Sequence, residues 1–468
     1  MRPWRYNVGK GIEKRYLRPM SCRWKALFTS KIEGTLRWDR WDFVALALAV
    51  LTVVWVFALK LKTFYDLGYS SDLFVSVQAA RSWLEGRGLL HDNCFGNVLT
   101  IHTYFLLLPL GLIAKPFGAP GLLFVLAVSV GAAYFWATRI LRLLGVGGRA
   151  AVVASGVLLI SPLSVAFYQE WAFGFHIEVL APALCLVLFY FLLQQRMIPS
   201  IVTALAVISI KEDAPNARHS LDRLGIVAAG SLSSPGALFV FVASNLAHWL
   251  GSGIVRQWLW VMIVGSFATI LLRSYYLVFG VLTTVVPWLI NRNDLLWAPR
   301  FFSTEALLWC VTLVGFASIA HAVPSCGKGA RIAVLAAAIA VVAFSAWAQL
   351  ALVPPAYSAY LLRSGSFYSL AERQQADAVF ARYRREGKPD EPVVASTMLF
   401  RYAHDRNLFW LNRLHDRPAP IWILGDSADF YAPLRISSDT INPRSGIHIE
   451  DYEVIDRRGR FVLLRKKG

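Results

Sequence analysis

The chain has 468 residues, of which 56% are hydrophobic and only 16% are charged. Its mean hydropathy is +0.50, and the apolar residues occur in blocks rather than in periodic stripes. Because soluble domains carry about a quarter charged residues, this composition excludes an ordinary soluble protein. It predicts a mainly α-helical, polytopic membrane protein with about 9–11 spans and a small C-terminal α/β domain.

The first 41 residues form a basic segment, with eleven Lys and Arg side chains against three acidic ones. Basic residues before a first span favour the cytoplasm, where they can also contact anionic lipid headgroups. The formal net charge of +18 does not indicate nucleic-acid binding, because no zinc, helix-turn-helix or RNA-binding motif accompanies it. The expected partner is therefore membrane lipid, and no nucleic acid.

A polytopic transmembrane region is expected from residue 42 to residue 355. A span needs roughly 20 mostly apolar residues, because the hydrocarbon core is about 30 Å thick. The clearest candidate spans are residues 43–59, 121–137, 150–167, 177–193, 306–320 and 332–353. Shorter apolar runs lie at 198–210, 237–250, 258–270 and 278–290, and at least one of the last three is expected to be short or re-entrant.

Polar residues between these runs predict the side of each loop. The basic connection at residues 139–149 favours the cytoplasm. The acidic and histidine side chains then share the outer side, provided that residues 98–117, with two prolines and His102, form a re-entrant or interfacial helix. Such broken backbone must be buried in protein or line a wet cavity. The side chains expected on the outer side include Asp66, Asp72, Glu170, His176, Glu178, Lys211, Glu212 and Asp213.

Near residue 356 the composition changes, and residues 356–468 are expected to form a soluble α/β domain. Residues 371–387 predict an amphipathic helix. Its apolar face is expected to contain Ala371, Ala376, Val379 and Phe380. Residues 391–397 and 420–426 predict short buried strands, and residues 452–467 predict a hairpin that turns at Arg458-Gly459.

Two groups of ionisable residues lie near the ends of the early spans. Asp66 and Asp72 follow the first span, where carboxylates near hydrocarbon are costly and commonly functional. The alternative is a solvated loop carboxylate that marks the end of the span. His176 and Glu178 lie at a helix start, where they could bind a metal or share a proton. An acidic residue there also suits the helix dipole, which is the alternative for this group.

A third group, Lys211-Glu212-Asp213, ends a short apolar run. It is either a plain helix terminus that Pro215 stops, or a clamp in which Lys211 holds a phosphate or carboxylate. The sequence contains no Walker loop, G-x-G-x-x-G fingerprint or G-x-S-x-G elbow. Nucleotide hydrolysis and serine-hydrolase chemistry therefore have no support.

Four motifs, in the order FYDLGYSSDLF, IHTYFLLLPLGLIAKPFG, FGFHIEVLAPAL and IKEDAP, resemble a bacterial membrane family known as domain of unknown function 2079. The resemblance covers residues 60–215 well and extends loosely to residues 393–430. The layout of that family resembles the GT-C class of membrane glycosyltransferases, which take sugars from polyprenyl-phosphate carriers on the outer face. After Asp213 the chain departs from this pattern, because a polar, Gly- and Ser-rich segment replaces the expected apolar helix.

The resemblance implies a GT-C-like glycosyltransferase of the bacterial inner membrane with a polyprenyl-phosphate sugar as donor. Asp66 matches the acidic first-loop position, a base or metal ligand in the GT-C class, so the cofactor stays open with a divalent cation as one option. The residues implied in substrate binding are Asp72, His102, Glu170, His176, Glu178, Lys211, Glu212 and Asp213. The alternatives are a transporter, which intramembrane charges and broken helices favour, and a non-catalytic or degenerate membrane scaffold, which the departure after Asp213 favours.

Overall fold

The computed structural model describes residues 38–94, 96–98, 104–160, 168, 174–210, 367–411, 419–429, 433–436, 440–441 and 447–468. The described residues form a helical region up to residue 210 and a strand-containing region from residue 367 onward. Most of the basic N-terminal segment and every apolar run expected between 237 and 353 lie outside the described residues.

Helix α1 (Arg40–Tyr65) has 26 residues. At 1.5 Å rise per residue it is about 39 Å long, enough to cross a hydrocarbon core of about 30 Å. It begins at a capping box, in which the Asp39 carboxylate accepts the backbone N–H of Asp42 and the Asp42 carboxylate accepts that of Asp39. Several of its large side chains are exposed, including Phe43, Leu51, Val54 and Trp55. Such an extended apolar surface suits contact with lipid.

The chain reverses directly after α1. Leu67 adopts a left-handed φ of 59°, and the Gly68 N–H donates to the Thr63 carbonyl at 2.9 Å. Helix α2 (Asp72–Arg81) and the short antiparallel strands β1 (His91–Asp92) and β2 (Gly96–Asn97) follow. The turn therefore brings the first-loop residues back over the end of α1.

Helix α3 (Leu107–Leu143) is interrupted at Gly118, where φ is 57° and ψ is −141°. Pro116 and Pro120 flank the break, and each removes a helical N–H donor. The part before the break packs on the end of α2, where the Trp83 indole N–H donates to the Leu108 carbonyl at 2.9 Å. Of the re-entrant or interfacial helix expected over residues 98–117, the structure describes Val98 and the residues from 104 onward, and there α3 begins at Leu107 and breaks one residue after the segment.

The second part of α3 runs antiparallel to α1. Near one end of the pair, the Asp42 carboxylate lies 2.8 Å from the Arg139 guanidinium. Toward the other end, the Phe57 and Phe124 rings are 5.4 Å apart. The pair therefore has two ends, which we name the Asp42 end and the Asp66 end after the residues of α1 that lie there.

Helices α4 (Gly148–Leu159), α5 (Ala181–Leu193) and α6 (Met197–Ile208) follow α3. Near the last turn of α5, the Tyr190 hydroxyl accepts a hydrogen bond from Arg139 at 3.2 Å, which places this turn at the Asp42 end. After α6, the Ser209 carbonyl accepts the Leu106 N–H at 2.9 Å, which places this segment beside the start of α3. The chain thus returns to the Asp66 end before residue 211.

Within the described part of the chain, α1 and α3 are the helices long and apolar enough to cross a membrane. The three helices α4 to α6 are apolar but shorter. For the expected span at residues 150–167, the described helix ends at Leu159. The described residues therefore contain two candidates among the 9–11 spans that composition predicts.

The C-terminal region begins with helix α7 (Leu370–Glu386) and contains a five-stranded sheet in the order β4-β3-β5-β9-β8. Strand β3 pairs in parallel with β4 and β5, whereas β9 pairs antiparallel with β5 and β8. The strands of this sheet are β3 (Val393–Ala395), β4 (Leu408–Trp410), β5 (Trp422–Asp426), β8 (Tyr452–Arg458) and β9 (Phe461–Lys466). Strands β6 (Thr440–Ile441) and β7 (Ile447–His448) form a separate pair.

The predicted C-terminal elements are confirmed, with two corrections. Helix α7 buries Ala376, Val379 and Phe380 as predicted, but Ala371 is exposed and Tyr383 belongs to the buried face instead. The hairpin turns at Gly459-Arg460, one residue later than predicted, and Gly459 has a φ of 57°. A tight hairpin needs such a positive φ in its turn, which glycine adopts without strain.

Candidate functional site

Four of the nine candidate residues belong to the described part of the chain, and they are Asp66, Asp72, His176 and Glu178. All four lie toward the Asp66 end, on segments that are well separated in the sequence. The other five lie outside the described residues, and they are His102, Glu170, Lys211, Glu212 and Asp213.

Asp66 caps the C-terminus of α1 and forms two ion pairs. Its Oδ2 atom lies 2.9 Å from the ammonium group of Lys62, one turn earlier in α1. Its Oδ1 atom accepts a hydrogen bond from the Arg373 guanidinium of α7. The carboxylate is 16% exposed, so these two cations balance a largely enclosed charge. Asp66 thereby joins the first loop to the C-terminal region.

Asp72 and His176 face each other at the Asp66 end. The Asp72 Oδ2 and His176 Nε2 atoms are 3.9 Å apart, within ion-pair reach but longer than a hydrogen bond. Their side chains are 33% and 29% exposed, so a substrate could reach both. Catalytic hydrogen bonds are often long before a substrate binds, and this pair has the composition of a base with its orienting carboxylate.

Gly174 allows the segment that carries His176 to approach the first loop. Its φ is 81°, and a Cβ atom there would come within 2.9 Å of the Tyr69 ring. A side chain at this position would therefore push residues 174–176 away from the loop that contains Asp72. This packing is a physical reason for the glycine in the F-G-F-H motif.

Glu178 is 3% exposed and accepts a hydrogen bond from the Tyr104 hydroxyl at 2.9 Å. The Ser129 hydroxyl donates to the neighbouring Val179 carbonyl at 2.8 Å, which attaches this segment to α3. Tyr104 lies two residues before Leu106, whose N–H donates to Ser209. The described chain thus leads into the Lys211-Glu212-Asp213 motif from a point close to Glu178.

Lys60, Tyr104 and Arg373 are contacts of this region that sequence reasoning missed. Lys60 is 5% exposed, and its ammonium group lies 5.7 Å from the centre of the Tyr69 ring. A lysine near the end of an apolar span is costly in hydrocarbon, so its position in the sequence could have marked Lys60 as a residue of the site region. Arg373 carried no such signal, because it lies 307 residues from its partner Asp66.

A divalent cation does not fit Asp66 as the structure arranges it. Lys62 and Arg373 already balance the carboxylate, and both would repel a further cation at that position. No group of three or more His, Cys, Asp or Glu side chains suited to a metal occurs among the residues that the structure describes. We therefore place no metal at Asp66.

The C-terminal region docks on the first loop through more than Asp66. The Gln78 side chain donates to the Leu408 carbonyl at 3.1 Å, and the Asn93 side chain donates to the Arg406 carbonyl at 2.9 Å. The Phe74 and Phe400 rings are in edge contact at 5.7 Å. These buried polar and aromatic contacts make a specific interface directly beside Asp72.

Comparison with known proteins gives a family match over part of the chain. No curated protein matches the chain. Residues 59–217 match the model of a family described as "Predicted membrane protein (DUF2079)", which confirms the resemblance that the four motifs indicate. The matched stretch contains all nine candidate residues and ends where the chain departs from the motif pattern. This part of the chain is therefore similar to a family of predicted membrane proteins whose description assigns no activity.

Proposed function

We propose that the protein is a GT-C-like membrane glycosyltransferase that uses a polyprenyl-phosphate sugar at the Asp66 end. The observation that supports this function is the convergence of Asp72, His176 and Glu178 beside the segment that leads into Lys211. Separate segments of a membrane protein that bring ionisable groups to one end commonly form a functional site.

The proposed reaction replaces the phosphate at the anomeric carbon of the sugar by an acceptor hydroxyl. The His176 imidazole takes the proton from that hydroxyl at Nδ1, because its Nε2 atom faces Asp72, which orients the ring and stabilises the imidazolium that forms. The hydroxyl oxygen bonds to the anomeric carbon while the carbon–oxygen bond to the phosphate breaks. Lys211 relieves the charge on the departing polyprenyl phosphate. Asp66 is assigned a structural role, in which it holds the C-terminal region against the first loop through Arg373. The family resemblance implies a base at this position, but two cations already pair with the carboxylate.

The assay measures transfer from labelled polyprenyl-monophosphate hexoses to membrane acceptors, with the full-length protein in proteoliposomes. Asp72→Asn and His176→Gln should each lower transfer by about 10²–10⁴-fold, the usual range for general acid–base groups. Asp66→Asn should keep most of the transfer. Gel filtration checks that each variant folds.

Two results would contradict the proposal in different ways. Loss of transfer in folded Asp66→Asn, with activity retained in Asp72→Asn, would return the base to Asp66. A wild-type protein that binds the donor but transfers no sugar would exclude the enzyme and favour a membrane scaffold.

The orientation follows from the two-ended helix pair. We place the Asp42 end in the cytoplasm, because basic residues surround it, and the Asp66 end outside. Reporter fusions after Arg40 and Arg142 should report the cytoplasm, and fusions after Asp72, Glu178 and Asp213 the outer compartment. A cytoplasmic signal after Glu178 with an outer one after Asp72 would exclude a shared site.

A transporter is the second candidate, and the break in α3 at Gly118 favours it. Transporters commonly build their substrate sites from interrupted membrane helices. Proteoliposomes loaded with the same labelled donor separate the two functions. If intact donor moves across the bilayer and no new glycosidic bond forms, the protein is a transporter and the transferase proposal is wrong.

A further inference from the structure

At the Asp42 end, a shallow cleft that is open to the surroundings lies between the starts of α1 and α4. Arg40 and Trp41 line it from α1, and Arg149 and Val153 line it from α4. Gly148 lines it beside the Trp41 ring, where a Cβ atom would come within 2.4 Å of the indole. The glycine therefore lets Trp41 pack closely against the start of α4.

The cleft is positively charged. Arg40 and Arg149 are both exposed, and neither forms an ion pair with any residue that the structure describes. The acidic groups on the first turn of α1 are engaged elsewhere, because Asp39 and Asp42 pair with Arg142 and Asp42 also pairs with Arg139. A ligand of this cleft is therefore expected to carry negative charge.

An apolar surface continues from the cleft along both helices. On α4, Val153 is 59% exposed and Val157 is 42% exposed. On α1, Val44 and Leu48 are exposed apolar side chains one and two turns after Arg40, on the same side of the helix. The Arg40 guanidinium lies 5.3 Å from the Trp41 ring centre, an arrangement that suits a membrane interface. A charged cleft that opens onto lipid-facing helices matches a molecule with an anionic head and apolar chains.

We propose that this cleft binds the phosphate group of an anionic glycerophospholipid. Arg40 and Arg149 hold the phosphate from two sides, and Trp41 lies at the level of the ester carbonyls. The acyl chains extend along Val153 and Val157. The site lies at the opposite end of α1 from Asp66, so it stands independently of the proposed transferase.

The experiment measures lipid retained by the full-length protein in detergent, using native mass spectrometry after titration with phosphatidylglycerol. Phosphatidylcholine of the same chain length is the neutral reference. Arg40→Gln and Arg149→Gln should each weaken retention of phosphatidylglycerol about fivefold, and the double variant about thirtyfold. The matched control is Arg196→Gln, an exposed arginine between α5 and α6 that lies outside the cleft.

Each comparison of lipids or variants has a result that supports the proposal and a result that overturns it. Selective loss in the cleft variants, with Arg196→Gln unchanged and excess inorganic phosphate unable to displace the lipid, supports a lipid site. Equal retention of phosphatidylcholine, or unchanged retention in the double variant, overturns it. Displacement of phosphatidylglycerol by inorganic phosphate at equal concentration shows a site for the free anion and also overturns the lipid proposal.

Discussion

At the scale of single residues, a buried ion cluster joins α1 to α3 at the Asp42 end. Asp42 is completely buried, and its carboxylate binds both Arg139 and Arg142. Asp39, which is 47% exposed, adds a second acid at 2.7 Å from Arg142. Buried charges are costly unless they are paired, so removal of one partner leaves the others uncompensated.

Replacement of Asp42 is therefore expected to destabilise the protein strongly. Asp42→Asn should cost about 3–5 kcal/mol, because Arg139 and Arg142 would lose the buried carboxylate that balances them, and Arg142 would keep only its pair with the half-exposed Asp39. Asp39→Asn should cost less than about 1 kcal/mol, because that side chain is half exposed and asparagine also caps helices well. Thermal unfolding in detergent compares the two variants. Equal midpoint shifts would show that the Asp42 cluster adds no stability beyond that of an exposed pair.

At the scale of elements, two local signals determine where helices break and begin. Gly118 interrupts α3 with a backbone conformation that residues with a side chain rarely adopt. Ser369 and Glu372 start α7 with a reciprocal capping box, in which each side chain accepts the backbone N–H of the other residue. The helix break and the capping box each depend on residues close together in the sequence, so each can be tested by one substitution.

Gly118→Ala should destabilise the helical region by about 1–3 kcal/mol, because a Cβ atom strains the left-handed backbone there. The matched control is Gly156→Ala in α4, where the new Cβ would lie an ordinary 4.0 Å from Tyr134. That control should be neutral or stabilising by up to about 1 kcal/mol. Thermal unfolding of both variants gives the comparison. A stabilised Gly118→Ala would mean that α3 runs through without the break.

The start of α7 should loosen in acid. Hydrogen bonds from the Ser369 backbone and side chain hold the pKa of Glu372 below its usual value of 4.5, and Arg460 adds to this. A lowered folded pKa gives stability that is present above pH 4.5 and is lost as the pH falls through the folded value. Amide exchange at residues 370–373, corrected for intrinsic rates, should rise on acidification.

Glu372→Gln should remove most of this pH dependence, whereas Glu386→Gln at the other end of α7 should keep it. Glu386 is exposed and forms its 2.8 Å ion pair with Arg382 within the same helix. A wild-type helix start that exchanges at the same corrected rate from pH 7 to pH 3 would contradict the capping contribution.

At the scale of the whole molecule, the C-terminal region is held against the first loop beside the candidate site. The interface combines the Asp66–Arg373 pair with the buried amides of Gln78 and Asn93. We expect residues from about 356 onward to form a unit that protease can release, because this region has turns and no apolar run of spanning length. Docking of the C-terminal region on the first loop would then determine how accessible Asp72 and His176 are to a substrate.

Arg373→Gln should loosen this docking. Loss of a largely enclosed, charge-assisted contact costs about 1–2 kcal/mol after allowance for its partial exposure, which is roughly a tenfold increase in opening. Amide exchange at residues 70–80 and the rate of protease release measure the opening. Arg382→Gln, on the same helix but in an exposed pair with Glu386, is the matched control. Equal effects of the two substitutions would exclude a specific role for Asp66.

The sequence alone determined the elements whose causes are local. Long apolar runs produced α1 and α3, because the bilayer thickness sets a minimum length. Helical periodicity predicted α7, and short apolar runs bounded by turn residues predicted β3, β5 and the hairpin. Only the tertiary structure decided what the site residues contact. Asp66 pairs with an arginine 307 positions away, and Asp72 approaches His176 because Gly174 permits close packing. No local pattern records such contacts, since they arise from the docking of segments that are remote in the chain.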